Sequence, residues 1–373
     1  MTGTPIPPRG RVLAIVYGHV ADSMAAVPAL RSLRRGLPGT RIELLCLSSV
    51  APLLEPCPYV DEVLAWDDFR RKGLRGARAE KAAVIAALAL RLRRRRYDAV
   101  LVFHRSFRAL RRLAAMSGAP VVAGVSDGGD GYSHPAPEPA GGLESSREEN
   151  GRVLAAVGLA DDGGPIELWT DEPDRARARS LLAGAGRPLV GLHPGSDWSC
   201  QQWLPERFAA VGSALQRGLG AGVVITGSGA ELELQEEIAD GLAEPPVRAA
   251  GRTTLRGLAA VIRELDVLVC VNSAAAAIAR AVGTPAVVLL GPEDPRLTGL
   301  VAGDRLRIVQ PGERLIPGSW CEFGRWGLLS GCESPMCRGL SGLDQLDPMT
   351  VVEEVHGLLG APVEGGRATA GQR

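Results

Sequence analysis

Residues 265–292 read LDVLVCVNSAAAAIARAVGTPAVVLLGP, and the rest of the chain is organised around them. The run 267–271 is short, apolar and β-branched, and Asn272 and Ser273 interrupt it. The small-residue run 274–282 has helical character and is stopped by Gly283 and Pro285. A second apolar run, 286–290, ends at Gly291-Pro292. Strand, polar turn, helix, Gly-Thr-Pro and strand make a parallel βαβ unit, because a crossover of this length returns the chain in the same direction. Asn272 and Ser273 then fall between the carboxyl end of a strand and the first turn of a helix. There, N–H groups without intrahelical partners and the helix dipole favour an anion, so a phosphorylated ligand is the expected guest. Taken alone, the turn also reads as a polar cap on a buried helix.

A chain of 373 residues exceeds one ordinary core and predicts two domains. Apolar content of 46% with 23% charged residues describes a soluble globular protein. Basic and acidic residues number 42 each, so no net field recruits nucleic acid or an anionic membrane. Only Lys72 and Lys81 among the 42 basic residues are lysines, which nearly excludes a lysine-based phosphate clamp. The N-terminus has no apolar signal core and no long uncharged apolar run reads as a span, which predicts a cytoplasmic protein. Seven dispersed cysteines argue against a disulfide framework. Cys321, Cys332 and Cys337 cluster without paired C-x2-C spacing, so no metal is expected.

Along the first half, 11–17 is a buried-strand run followed by Gly18-His19-Val20-Ala21-Asp22, and 23–37 reads as one amphipathic helix with Pro28 early in it. The turn lacks G-x-G-x-x-G, which argues against a nicotinamide or flavin. Asp22, near the carboxyl end of the first strand, points toward the ligand crevice of an open α/β sheet or else caps the helix. Strands are expected at 41–47, 60–65 and 99–103, and helices at 80–96 and 144–157. His104 and Arg105, after the 99–103 strand, either contact a substrate's polar groups or make a local structural pair. The Gly- and Pro-rich stretch 126–142 is expected to hold no regular element.

A crossover at 159–179 leads to a second sheet that begins at 189–192 and turns at His193-Pro194-Gly195-Ser196. Helices at 205–218, 230–242 and 255–265, a strand at 223–226 with Gly227-Ser228-Gly229 behind it, and a terminal helix at 348–359 complete the pattern.

Two such halves are the GT-B architecture, and the residues resemble the bacterial lipopolysaccharide heptosyltransferases, glycosyltransferase family 9. The likeness runs through GHVADSMAAVPALRSLRRGLP, HRSFRALRRLAAMSGAPVVAGV, REENGRVLAAVGL, GLHPGSDWSCQQWLPERFAAV and VNSAAAAIARAVGTPAVVLLGP, in the family's order. It implies an α/β, GT-B chain of two Rossmann-like domains facing each other across a cleft. Residues 1–170 would form the acceptor-binding domain and 171–345 the nucleotide-sugar-binding domain. Residues 346–360 would form a helix packed back on the N-terminal domain, followed by a disordered tail at 361–373.

Position by position, the resemblance places Asp22 on the family's catalytic Asp, the base for the acceptor hydroxyl. It places Ser196 on a hydroxyl that holds the donor diphosphate, Glu231 (or Glu233) near the nucleoside-binding Glu, and Ser273 on the motif's Ser/Thr. The implied donor set is Gly195, Ser196, Gln201, Glu231, Asn272, Ser273 and Ala274, and the implied acceptor set Gly18, His19, His104 and Arg105. The chain departs from the pattern: Ala21 replaces a Gly, Asn272 an Asp, Ala274 a Gly, Ala277 a His, and Gln201 (or Gln202) a phosphate-facing Lys. Arg256 and Arg280 are the candidate replacements for that lost cation. The expected activity is inverting, metal-independent transfer of heptose or a related sugar from ADP-heptose or another nucleotide diphosphate sugar. The expected acceptor is a hydroxyl or amine of a glycan, lipid-linked or natural-product molecule, and no cofactor is expected. The alternative is a degenerate GT-B scaffold or sensor that binds a nucleotide sugar without turnover.

Overall fold

The computed structural model describes residues 4–66, 78–103, 108–126, 131–138, 144–196, 201–291, 295–311 and 342–360. It divides into two compact units, Met1–Trp169 with Arg296–Gly299, and Thr170–Pro295 with Leu300–Arg373.

The first unit runs β1 (Arg11–Ile15), α1 (Val20–Ala25), α2 (Val27–Gly36), β2 (Arg41–Leu47), α3 (Ala51–Leu54), β3 (Glu62–Trp66) and α4 (Arg78–Arg94). It continues with β4 (Ala99–Val102), α5 (Arg108–Met116), β5 (Val121–Val125), β6 (His134–Ala136) and α6 (Ser146–Ala156). Its six strands are ordered β3-β2-β1-β4-β5-β6, all parallel. The region expected to be one helix at 23–37 is two helices. Pro28 has no N–H to continue the ladder of α1, and it sits instead in the first turn of α2, where that N–H is not needed. The stretch 126–142, expected to hold no regular element, contains β6, whose Pro135 is tolerated because β6 is an edge strand.

The segment that follows α6 is pinned to α2 by Arg31, which is buried. Arg31 Nε and Nη2 donate to the Asp162 carboxylate at 2.6 and 2.8 Å, and Nη1 donates to Glu167 Oε2 at 2.7 Å. The hydrogen bonds from Arg31 hold the Asp162 carboxyl well below the usual carboxylate range.

The second unit runs α7 (Glu172–Leu182), β7 (Leu189–His193), α8 (Pro205–Leu219), β8 (Gly222–Ile225), α9 (Leu232–Asp240), β9 (Val247–Arg248) and α10 (Leu255–Glu264). Then come β10 (Val267–Val271), α11 (Ala274–Val282), β11 (Ala286–Leu289), α12 (Pro295–Thr298), whose residues from Arg296 onward count with the first unit, β12 (Leu306–Val309) and α13 (Pro348–Leu359). The strand order is β12-β11-β10-β7-β8-β9, again all parallel. Every residue of β7, β10 and β11 is buried, as strands covered by helices on both faces must be. Counted from its own first strand, each sheet has the doubly wound order 3-2-1-4-5-6.

The terminal helix belongs to the second unit. Helix α13 packs on α8, β10, β11 and β12, and its Val351, Val352 and Val355 join the core formed by Val269, Val287 and Leu289. Arg207 donates to the Leu346 carbonyl and Arg307 pairs with Glu354 at 3.2 Å, so polar contacts hold it to the same unit. The residues at 361–373 lie outside the described set.

Candidate functional site

In a sheet of this order the chain leaves the centre in opposite directions, and the crevice opens outside the carboxyl ends of the two strands at the reversal. In the first unit those strands are β1 and β4, paired from Val12↔Ala99 to Ile15↔Val102. From β1 the chain passes through buried Val16 and Tyr17 to Gly18, and α1 begins after His19.

Asp22 is the third residue of α1, not its cap; His19 occupies the cap position. The Asp22 side chain turns back, and its Oδ2 accepts the His19 backbone N–H at 3.2 Å. Its Oδ1 accepts a hydrogen bond from Ser146 Oγ at 3.1 Å. Gly18 is needed for space rather than for its backbone angles: a Cβ there would lie 2.6 Å from both Cβ and Oδ2 of Asp22. Gly18 and Asp22, four residues apart, and the sequence-distant Ser146 are therefore one local arrangement. His104 and Arg105 lie outside the described residues.

In the second unit the reversal falls between β7 and β10, paired up to Cys270↔His193. The turns 194–196 and 272–273 therefore leave the sheet as neighbours, about one strand spacing of ~4.8 Å apart. Ser273 caps α11 in extended backbone, yet its side chain makes no capping hydrogen bond. Its Oγ is shielded from solvent and has no hydrogen-bond partner among the described residues. No acidic residue lies in the first turn of α11 to satisfy the positive helix end. Gly283, with φ of 80°, closes the other end of the helix in the left-handed region.

On the β7 side, Ser196 Oγ donates to Gln201 Oε1 at 3.1 Å, and Gln202 Nε2 donates to the Ser196 carbonyl at 3.2 Å. Gln201 is buried, so the residue in place of a lysine is turned onto Ser196 and supplies no charge. The Glu231 carboxylate lies over Gly195 so closely that a methyl group there would overlap it. Glu231 Oε2 accepts the Ser228 backbone N–H at 2.7 Å and Ser228 Oγ–H at 2.9 Å, fixing the loop after β8. The structure thus brings Gly195, Ser196, Gln201 and Glu231 together, with Asn272, Ser273 and Ala274 in the adjoining turn. Glu233, the other register considered, lies in the first turn of α9, and no hydrogen bond is described for its side chain.

The two arginines considered as replacements for the missing cation stand in different places. Arg256 is committed to the start of α7, pairing with Asp171 at 2.9 Å and Asp174 at 2.5 Å. Arg280 is in the last turn of α11, about 10 Å along the helix from Ser273 at 1.5 Å per residue.

Two residues of the arrangement were not anticipated. His193, the last residue of β7, is buried, with Nδ1 2.9 Å from Thr226 Oγ1, and burial lowers its pKa against an opposing pull from Glu231, leaving it neutral. Ser146 was signalled in sequence only indirectly: Ser145 and Glu148 have capping-box spacing, which places 146 in a helix's first turn.

Two parallel doubly wound sheets, each with polar loops at its reversal, define a two-domain Rossmann-like protein of the GT-B class. Solved structures agree on the fold. A glycosyl transferase family 9 protein from Veillonella parvula aligns over 95% of this chain and 99% of its own, with a TM-score of 0.76 and 20% identity. The Escherichia coli ADP-heptose LPS heptosyltransferase II aligns over 94% and 98%, with a TM-score of 0.71 and 21% identity. In sequence, the chain is 27% identical over 290 residues to lipopolysaccharide heptosyltransferase 3 of Escherichia coli, covering 73% of this chain and 81% of that protein. Residues 85–314 match the family described as "Glycosyltransferase family 9 (heptosyltransferase)". The chain belongs to that family and is a glycosyltransferase. Among the described residues no helix is long and apolar enough to cross a membrane.

Proposed function

We propose that the chain is an inverting glycosyltransferase that moves heptose or a related sugar from a nucleotide diphosphate donor to a hydroxyl or amine, with Asp22 as general base and without a metal or other cofactor. The acceptor oxygen or nitrogen gives its proton to Asp22 and bonds to the anomeric carbon as the bond to the diphosphate breaks. The first unit holds the acceptor, a glycan, lipid-linked or natural-product molecule, through Gly18, His19, His104 and Arg105. The second holds the donor through Gly195, Ser196, Gln201, Glu231, Asn272, Ser273 and Ala274. The reaction takes place in the cytoplasm.

The observation that carries this reading is the Ser273 hydroxyl, shielded at a helix N-terminus and without a partner among the described residues. Buried hydroxyls are seldom left unsatisfied, and a diphosphate oxygen is the group that a helix N-terminus and a hydroxyl donor would take together. ADP-heptose is the first donor to test, because the E. coli heptosyltransferase II is named for it.

The test is a binding screen across ADP-, UDP-, GDP- and dTDP-sugars, with ADP-heptose expected to bind best and transfer expected to persist in excess EDTA. Ser273→Ala should weaken donor binding about tenfold, the loss of one hydrogen bond to a charged group. Tight binding that ignores Ser273→Ala would move the donor elsewhere.

The buried Gln201 and its bond to Ser196 favour a second reading, a scaffold that binds the nucleotide sugar without turnover. Sugar transfer with any donor in the screen excludes it.

A further inference from the structure

We infer that Ser146 is a positioning residue for transfer: its hydroxyl holds the Asp22 carboxylate in the orientation from which Asp22 takes the acceptor's proton. This rests on the reading of Asp22 as the base. Helix α1 has six residues, too few to set a side chain's direction by its own stability. Its direction has to be imposed from outside, and α6, far away in sequence, is one of the elements packed against α1.

The start of α6 separates two serines by task. Ser145 is the cap: its N–H and Oγ–H donate to Glu148 Oε2 at 2.9 and 2.8 Å. Ser146, the first residue inside the helix, is not needed for that box, and its hydroxyl is aimed across 124 residues of sequence at Asp22 Oδ1, 3.1 Å away. One helical step further on the same face, Asn150 Nδ2 donates to the Ala25 carbonyl at 3.2 Å. Helix α6 therefore holds α1 at two points, but the two contacts differ in kind. Asn150 holds backbone, whereas Ser146 holds only the carboxylate.

An ionised carboxylate is an acceptor only, so the hydroxyl must be the donor and its proton is fixed toward Oδ1. The His19 N–H on Oδ2 and the Ser146 hydroxyl on Oδ1 orient one oxygen each. A carboxylate oxygen has two lone-pair sites, so neither bond bars approach of an acceptor hydroxyl. Without Ser146 the carboxylate loses the donor that α6 sets on Oδ1, and a base misplaced by about 1 Å loses much of its effect.

The experiment measures ADP release with ADP-heptose and a lipopolysaccharide core oligosaccharide. Ser146→Ala is expected to lower kcat about tenfold, with the donor KM and the melting temperature nearly unchanged. Ser146→Thr, which keeps the hydroxyl, is expected to restore most of that rate. In an Asp22→Asn background, Ser146→Ala should cost nothing further, because Ser146 acts through Asp22. Asn150→Ala is the control for the purely structural contact and is expected to lower the melting temperature instead. A Ser146→Ala protein with unchanged kcat, or with the same loss in both backgrounds, overturns the inference. If Asp22→Asn is slow while Ser146→Ala is not, the base reading stands and only this inference fails. If Asp22→Asn turns over at the unmutated rate, both fall.

Discussion

Replacing Asp22 by Asn is expected to lower turnover by about 10²–10⁴-fold, the usual worth of a positioned general base, while donor affinity hardly changes. The substitution is well suited to the question because the local structure tolerates it. Asn keeps an oxygen that can accept either the His19 N–H or the Ser146 hydroxyl, so the turn held against Gly18 loses little. What it loses is the ability to take a proton. Circular dichroism and donor titration of the variant report folding and the donor site, and the steady-state rate reports the base. A variant that folds, binds donor and transfers sugar at the unmutated rate would leave Asp22 as a helix-start residue and nothing more. A folded, donor-binding, inactive variant would remove the scaffold reading, since a scaffold has no turnover to lose.

The parts of this chain that could be read from sequence are those where one local rule acts without competition. The 265–292 stretch is such a case: β-branched runs buried on both faces, a polar turn, and a small-residue helix closed by Gly283 match β10, α11 and β11 to within a residue. The loops at 194–196, 227–231 and 272–274 followed directly, because residues after strands of a parallel sheet must lie at its carboxyl edge. The break at Pro28 was obscured because apolar periodicity continues through it, and periodicity does not record a missing N–H. Strand β6 was hidden by composition: Pro and Gly argue against a central strand, but at a sheet edge the penalty is small.

The terminal helix and Ser146 show a different limit. An amphipathic pattern at 348–359 says that one face is buried, not against which sheet. The choice was made by Val351, Val352 and Val355 entering a core whose other members come from strands more than sixty residues away for Val287 and Leu289. The Ser146–Asp22 bond is likewise long-range, and nothing in the sequence near Asp22 points to 146. Glycines were the better local clue. Gly18 and Gly195 are both places where an added methyl would strike a carboxylate, of Asp22 and Glu231 respectively. In each case glycine marks a close approach and not a left-handed turn.

Glu43→Gln is expected to destabilise the protein by about 3 kcal/mol at neutral pH, and the loss is expected to shrink to about 1 kcal/mol at pH 3. Glu43 lies in β2 near the amino end of the first sheet and is fully buried. Burial alone would raise its pKa, but Tyr97, Arg11, Arg95 and Arg41 outweigh that. Tyr97 donates to Oε2 at 2.6 Å and Arg95 at 2.7 Å, while Arg11 Nε and Arg41 Nε donate to Oε1 at 2.7 and 3.0 Å. Together they bring it down to about 2 from an ordinary value of 4.5. Because the folded value lies below the unfolded one, the contribution is complete above roughly pH 5 and is lost as the pH falls toward 2. Gln keeps one acceptor oxygen but sets an amide among three guanidinium groups, and it does not titrate. The measurement is equilibrium urea unfolding of both proteins at pH 7 and pH 3. Other carboxylates held low, such as Asp162 beside Arg31, weaken both proteins alike on acidification and drop out of the difference. A gap between wild type and Glu43→Gln that stays the same at both pH values would mean that shape, and not the Glu43 charge, holds the β1–β3 end of the sheet together.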